Sequence, residues 1–208
     1  MDRSKLAERR FEFQTRAVPI ENTENQELWV EGYAVRFNSP TVLFEIDGVE
    51  YKEQIARDAF EGCKMDDVIF NYNHSGRVMA RTRNKTLQLS IDDNGLYVRA
   101  RLDGTAEGRS LYNEIAGGYI DRMSFRFTIG KESYDRDARM WTIERVKRLY
   151  DVSAVDIPAY DDTSLAARRA DAEAEARERQ LAADVALRRR KLKLKLMMED
   201  NNVSEKTE

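Results

Sequence analysis

Apolar and polar residues alternate along much of the chain between residues 28 and 160, and this period of two predicts β-strands. The predicted strands are Leu28–Phe37, Val49–Ile55, Val68–Tyr72, Leu87–Ile91, Leu96–Leu102, Met123–Ile129, Met140–Lys147 and Leu149–Ile157. The fourth and fifth of these strands flank Asp92-Asp93-Asn94-Gly95. Asn-Gly between two alternating segments is a strong signal of a β-hairpin.

Two short segments within this region instead favour helices. Arg57–Cys63 is one candidate, and Thr105–Ala116 is the better one. Thr105 is a suitable N-cap, Glu107 lies favourably in the first turn, and Gly117-Gly118 ends the helix. Many short strands with few helices predict a mainly β fold with flanking helices, of the α+β class. The strands are expected to form a small closed or nearly closed β-barrel.

The composition changes sharply after Tyr160, because every Gly, Pro, Trp, Tyr and Phe lies at or before that residue. The remaining segment is rich in Ala, Leu, Arg, Lys and Glu, which form helices well but build little core. The pattern therefore predicts three parts: an N-terminal arm over 1–27, a folded domain over 28–160, and a charged helical or disordered tail over 161–208. The arm is either an edge strand or loose. The basic cluster Arg188–Lys195 is either a solvated helix face or part of a partner-binding or cleavable tail.

Composition excludes several classes of site. The chain has one Cys and one His, so it cannot form an intrachain disulfide, a multi-cysteine zinc site or a multi-histidine metal site. Its net charge of −3 gives no general basic field for nucleic acid, although 35% of residues are charged, against about 25% in an average chain. Neither a signal peptide nor an apolar membrane span is visible. We expect a cytoplasmic protein without a cofactor.

The single histidine limits acid–base chemistry to one position. His74 follows the predicted strand Val68–Tyr72, and strand ends commonly display functional groups, although a lone His is often structural. Ser124 shares a strand face with Arg126 and Thr128. It is either a nucleophile held in place by its packed neighbours or an ordinary serine on the polar face of a strand. A nucleophilic serine needs a base, and that base needs an orienting group.

The candidate orienting group is Asp151, within the apolar stretch Leu149–Val155. A carboxylate there is costly unless it is paired. The alternative is an ion pair with one of three nearby cations: Arg145, Lys147 or Arg148. Asp156 competes for the role, but it precedes Ile157-Pro158, where an Asp commonly serves a turn.

Taken together, these segments resemble the prohead (capsid maturation) serine proteases of tailed bacteriophages, from about Trp29 to Tyr160. The resemblance is carried by an ordered series: Glu31-Gly32-Tyr33-Ala34-Val35-Arg36-Phe37-Asn38, Glu53-Gln54-Ile55 to Asp58-Ala59-Phe60, Asn73-His74, Asp92-Asp93-Asn94-Gly95-Leu96, Gly108-Arg109-Ser110-Leu111-Tyr112, Asp121-Arg122-Met123-Ser124-Phe125-Arg126-Phe127, Leu149-Tyr150-Asp151-Val152-Ser153-Ala154-Val155 and Pro158-Ala159-Tyr160.

The resemblance implies that Ser124 is the nucleophile, His74 the general base and Asp151 the group that orients His74. It also implies a fold similar to the herpesvirus assembly proteases, a β-barrel ringed by helices. The implied substrates are the scaffold, or the scaffolding segment of the major capsid protein, and the protease itself. The implied location is the assembling prohead in the bacterial host cytoplasm. A homodimer or higher self-association is a further possibility, with no nucleic-acid or membrane partner.

The chain departs from the family pattern at two positions. Family members often have Glu where Asp151 stands, and a small residue where Arg126 stands. Arg126 could supply positive charge to a developing oxyanion or pair with a nearby acid. The alternative to an enzyme is a non-catalytic capsid assembly or scaffold module, which the long charged tail would suit. A metal hydrolase would have to use carboxylates alone, and Asp92-Asp93 are better explained by a turn.

Overall fold

The computed structural model describes residues 6–11, 15–18, 27–156 and 163–204. The strands are β1 (Leu6–Phe11), β2 (Arg16–Ala17), β3 (Trp29–Arg36), β4 (Thr41–Ile46), β5 (Val49–Ile55), β6 (Ile69–Tyr72), β7 (Ser75–Arg81), β8 (Leu87–Ile91), β9 (Gly95–Arg101), β10 (Arg122–Asp135) and β11 (Met140–Val155). The helices are α1 (Ala106–Ala116) and α2 (Thr163–Ser204). The prediction of a mainly β fold with helices is confirmed.

The described chain falls into two compact units, Met1–Leu165 and Ala166–Glu208. Within the predicted N-terminal arm, residues 6–11 and 16–17 are strands. The predicted boundary after Tyr160 lies outside the described residues. The predicted helical tail is present as α2, which extends over 42 residues. In the described parts of the chain, no helix has the length and apolar character needed to span a membrane.

The strands of the first unit form two sheets. The larger sheet has seven strands, with the order β1-β10-β11-β5-β4, and β6 and β7 branch from β11. Both β5 and β6 run parallel to β11, with β5 along residues 140–143 and β6 along residues 151–154. The smaller sheet has the order β2-β3-β9-β8. The length of β11 is what allows two shorter strands to share one of its edges.

The expected closed or nearly closed barrel is not found among the described residues. In that part of the chain β1, β4 and β7 each pair with one strand only, so the larger sheet has open edges. The reason for the error is physical. Alternation shows which side chains of a strand face inward, but two packed sheets and a barrel produce the same alternation.

A single hydrophobic core joins the two sheets and α1. It contains Phe125 and Val152 from the larger sheet, Val30 and Val98 from the smaller one, and Leu111 from α1. Each fully buried side chain of this kind stabilises the fold by about 1.5–3 kcal/mol. The core therefore fixes β10 and β11 firmly, and these are the strands that carry Ser124 and Asp151.

Of the two helices predicted in the domain, one is present and the other is not. Helix α1 has the predicted N-cap, since the Thr105 side chain accepts a hydrogen bond from the Gly108 N–H at 2.9 Å. The segment predicted as a helix from Arg57 to Cys63 is instead a series of turns. Gly62 lies there in the left-handed region at φ 68°, which interrupts helical hydrogen bonding.

The hairpin predicted at Asn94-Gly95 is confirmed as β8–β9. Gly95 does not have a positive φ. A Cβ on Gly95 would lie 1.8 Å from the Val35 carbonyl oxygen, because β3 and β9 approach closely there. A side chain at this position would force the two strands apart.

We predict that Gly95→Ala destabilises the protein by about 1–3 kcal/mol, because the methyl group overlaps main-chain atoms that cannot rotate away. Gly104→Ala is the matched control, since an added Cβ there meets no atom within 4 Å. Its effect should stay within about 0.5 kcal/mol. Urea unfolding of both variants measures the difference, and equal stabilities would contradict the prediction.

Candidate active site

The three candidate residues lie on neighbouring elements of the larger sheet. Ser124 on β10 is directly opposite Ser153 on β11, and Arg126 is opposite Asp151. On the other edge of β11, Asn71 of β6 is paired with Ser153. Since residues two apart on a strand share a face, Ser124 and Asp151 are brought to the same side of the sheet. The imidazole then has to come from the end of β6.

His74 reaches this position through a tight turn. Strands β6 and β7 form a hairpin in which Tyr72 pairs with Ser75, so the loop consists of Asn73 and His74 alone. Both residues have positive φ, 48° and 54°, as a two-residue type I′ turn requires. Asn tolerates this region well, whereas His in the second position is less usual than Gly. The fold therefore holds the imidazole in a backbone conformation that favours glycine.

The three side chains form a continuous hydrogen-bonded chain. His74 Nδ1 contacts Asp151 Oδ1, and His74 Nε2 lies 2.6 Å from Ser124 Oγ. A carboxylate can only accept hydrogen bonds, so the Nδ1–H group donates a hydrogen bond to Asp151. Nε2 then accepts a hydrogen bond from the Ser124 hydroxyl. This arrangement can transfer a proton from the hydroxyl to the imidazole.

All three groups are buried. The exposed fraction is 0% for Ser124, 7% for His74 and 3% for Asp151. Buried polar groups are stable only when they are hydrogen-bonded, and the low local dielectric strengthens the bonds that they form.

Two further residues of the site were missed by the sequence analysis. The buried Ser153 hydroxyl donates to Asn71 Oδ1 and accepts the main-chain N–H of His74 at 3.2 Å. Its oxygen also lies 3.1 Å from His74 Nδ1 and 3.3 Å from Asp151 Oδ1. Ser153 thus holds both the main chain and the ring of His74. The available signal was its position two residues after Asp151 on a predicted strand, which places both on one face.

The sequence left the partner of Arg126 undecided and gave Asp156 as a competitor of Asp151, and the structure shows what each side chain contacts. Arg126 Nη1 lies 3.5 Å from Asp151 Oδ2, so the arginine pairs with the candidate acid. Asp156 accepts from the Tyr72 hydroxyl at 2.7 Å and from Asn73 Nδ2 at 3.0 Å, and so bonds to the hairpin rather than to the imidazole. Its hydrogen bond raises the pKa of Tyr72.

Cys63 is the chain's single alternative thiol nucleophile. Burial raises the pKa of the Cys63 thiol to about 11, so almost none of it is thiolate near neutral pH. Its sulfur lies 3.8 Å from the Lys64 carbonyl oxygen. This environment suits an inert structural cysteine.

The sequence profile described as Caudovirus prohead serine protease matches residues 12–178, a range that includes all three candidate residues. The chain belongs to this family of prohead serine proteases. It is therefore a serine protease of bacteriophage capsid maturation. Among curated proteins no sequence match was found.

A solved structure supports the fold of the prohead protease. The bacteriophage T4 capsid assembly protease gp21 superposes with a TM-score of 0.50 and 17% sequence identity. The match covers 74% of this chain and 98% of that one. At this level of identity, the comparison establishes a shared fold.

We predict that Ser153→Ala lowers kcat/KM by about tenfold or more, because a small displacement of a catalytic group is costly in rate. Steady-state kinetics with a peptide substrate measures the loss, and circular dichroism checks that the variant remains folded.

The control for this variant is Ser75→Ala. Ser75 directly follows His74, but it is exposed and its hydroxyl bonds only weakly to the Tyr72 carbonyl, at 3.4 Å. Its kcat/KM should remain close to that of the parent protein. A folded Ser153→Ala enzyme with the same kcat/KM as Ser75→Ala would show that Ser153 does not position the imidazole.

Proposed function

We propose that this prohead protease is an endopeptidase that cleaves the scaffold, or the scaffolding segment of the major capsid protein, and also itself. Membership of the prohead protease family supports action inside the assembling capsid. The description of the T4 neighbour as a capsid assembly protease supports capsid proteins as the substrate class. The observation that carries the proposed chemistry is the buried chain from Asp151 through His74 to Ser124.

In the proposed mechanism, Ser124 Oγ attacks the carbonyl carbon of the scissile peptide bond while His74 Nε2 takes the hydroxyl proton. The tetrahedral intermediate collapses when His74 returns that proton to the leaving amine, which breaks the C–N bond and leaves an acyl-enzyme. Water then attacks the acyl carbon with His74 again as the base, and Ser124 is released. Throughout the cycle Asp151 remains ionised and holds the Nδ1–H of His74.

The departure from Glu to Asp at position 151 is compatible with this role. The parallel pairing of β6 with β11 sets Tyr72 opposite Ala154, at the start of the turn that carries His74. The side chain of His74 contacts Asp151 through Nδ1, so the shorter acid is long enough for this contact. Arg126 lies beside the second carboxylate oxygen and so steadies the orientation of the first. We therefore assign Arg126 to Asp151 rather than to the oxyanion.

The alternative, a non-catalytic assembly or scaffold module, is disfavoured by the same geometry. Burying Ser124, His74 and Asp151 costs desolvation free energy, and apolar residues of similar size would pack at less cost. A module without catalysis would gain nothing from such an arrangement. The similarity to herpesvirus assembly proteases stays a prediction.

Self-cleavage in the tail has a structural requirement. We propose Arg188–Met198, which includes the basic cluster, as a segment for cleavage or docking, and it lies within the continuous helix α2. A protease acts on extended main chain, so cleavage there would need local unwinding of the helix. The exposed basic cluster Arg188–Lys195 is equally suited to docking on an acidic capsid surface.

We predict that Ser124→Ala and His74→Ala each abolish cleavage of scaffold and capsid precursor without unfolding the protein. Asp151→Asn should lower kcat by about 10⁴, as in other triads, because the amide can hold the wrong tautomer of the imidazole. Asp93→Asn, at an exposed carboxylate paired with Arg57, should retain activity.

The assay mixes each purified variant with candidate capsid and scaffold proteins and maps new termini by mass spectrometry, including those of the protease itself. Full cleavage by the Ser124→Ala protein would contradict the proposal. So would a folded parent protein that produces no new termini and fails to react with a fluorophosphonate at Ser124.

A further inference from the structure

Strand β10, which carries Ser124, has two edges, and the chain's own N-terminal segment occupies one of them. Strand β11 pairs along one edge over nearly the whole length of β10. Strand β1 runs antiparallel along the other, from Leu6 opposite Thr128 to Phe11 opposite Met123. In this register the main chain of Arg10 lies directly opposite Ser124.

This position is where a protease would need its substrate. Attack requires an extended peptide whose scissile carbonyl lies about 3–3.5 Å from the serine oxygen. Neighbouring strands are about 4.8 Å apart, so a strand beside β10 is within reach of a side chain as short as serine. The opposite edge is closed to substrate because β11 carries Asp151 and is anchored in the core.

The burial of Ser124 also indicates that an element must move. Ser124 has no exposed surface, yet a nucleophile has to touch the carbonyl carbon that it attacks. Strand β1 pairs over six residues with the sequence Leu-Ala-Glu-Arg-Arg-Phe. This sequence has no β-branched residue and includes Ala and Glu, which are depleted in strands. Of the two neighbours of β10, β1 is the one that can be displaced at low cost.

We propose that the β1 edge of β10 is the substrate-binding site, and that an extended segment of substrate polypeptide adds there as a strand in place of β1. Residues 6–11 then act as a self-inhibiting strand until substrate displaces them. The inference rests on the proposed role of Ser124 as nucleophile. Strand addition binds main chain through ladder hydrogen bonds and leaves side-chain selection to the surrounding surface.

The arrangement explains how activity could be restricted to the assembling shell. A strand that belongs to the same chain competes at a high effective concentration, of roughly millimolar order. Dilute polypeptides would therefore be excluded. Substrate segments packed together inside a shell reach comparable local concentrations and would displace β1. Activity should rise with the population of protein in which the edge is free.

A reversible lock tests the proposal in the full-length chain. In a Cys63→Ser background, Leu6→Cys and Thr128→Cys place two thiols at directly opposed positions of β1 and β10. Opposed residues of an antiparallel pair have Cα atoms about 4.5–5.5 Å apart, which suits a disulfide. The control is Glu45→Cys with Glu50→Cys, an opposed pair on the β4–β5 hairpin.

The substrate probe is a peptide library made from a bacterial proteome, with new termini counted by mass spectrometry. We expect oxidation of the β1–β10 lock to reduce cleavage by about tenfold or more, and reduction with dithiothreitol to restore it. Oxidation of the control pair should leave the cleavage rate unchanged. An oxidised β1–β10 lock that cleaves as fast as its reduced form would overturn the proposal.

A second variant is expected to raise cleavage activity, and nonspecific disruption of the fold would not produce such an increase. Ala7→Pro with Arg9→Pro removes two main-chain donors from β1 and so weakens its pairing with β10. We expect a severalfold increase in kcat/KM at low peptide concentration. A folded variant with reduced kcat/KM would show that β1 is needed for the site and would also overturn the proposal. If the reduced lock protein neither cleaves peptides nor reacts with a fluorophosphonate, the proposed function itself fails.

Discussion

The pairing of β11 with its neighbours on both edges is the constraint on which the site depends. One edge pairs antiparallel with β10 and places Ser124 opposite Ser153. The other pairs parallel with β6 and places Asn71 beside the same Ser153. A shift of one residue between β10 and β11 would turn Ser124 away from the face that carries Asp151, and a shift between β6 and β11 would turn Asn71 away from Ser153. The large apolar side chains of β10, such as Phe125 and Phe127, resist that shift because they fill the core.

The site is a polar cluster embedded in an apolar sheet, so its members depend on one another. His74 lies in a left-handed turn, and the Ser153 hydroxyl oxygen accepts a hydrogen bond from its main-chain N–H. The same hydroxyl donates a hydrogen bond to Asn71 Oδ1. Each hydrogen bond satisfies a group whose burial would otherwise cost about 1–3 kcal/mol. The same bonds that make burial tolerable also orient the imidazole, so stability and chemistry are difficult to separate here.

The sequence could predict what depends on local pattern. Alternation located most strands, the capping residues located α1, and the loss of aromatic residues after Tyr160 indicated the helical tail. The pair Asp47-Gly48 also carries a type I′ hairpin signal for β4–β5, and its φ values of 50° and 77° fit that turn. The segments Met140–Lys147 and Leu149–Ile157 were predicted as separate strands, whereas β11 runs unbroken from Met140 to Val155.

What the sequence could not predict depends on contacts between distant segments. Neither the two sheets nor the parallel pairing of β6 with β11 is encoded in a local period. The turn at Asn73-His74 has His where the usual hairpin signal has Gly, so the sequence pattern does not predict a turn there. Ser153 and Asn71 are ordinary strand residues until the register brings them together. His74, Ser124 and Asp151 are candidates from the residue pattern, the resemblance implies their roles, and the structure places their side chains in contact.

The central claim is that a single buried imidazole is held in one tautomer between Asp151 and Ser124. Because the chain contains one histidine, nitrogen NMR of protein labelled with ¹⁵N-histidine observes that imidazole without ambiguity. For the neutral imidazole we predict a proton on Nδ1 and none on Nε2. We also predict that Asp151→Asn removes this preference while Asp93→Asn preserves it. A spectrum of rapidly averaging tautomers, unchanged by Asp151→Asn, would contradict the account.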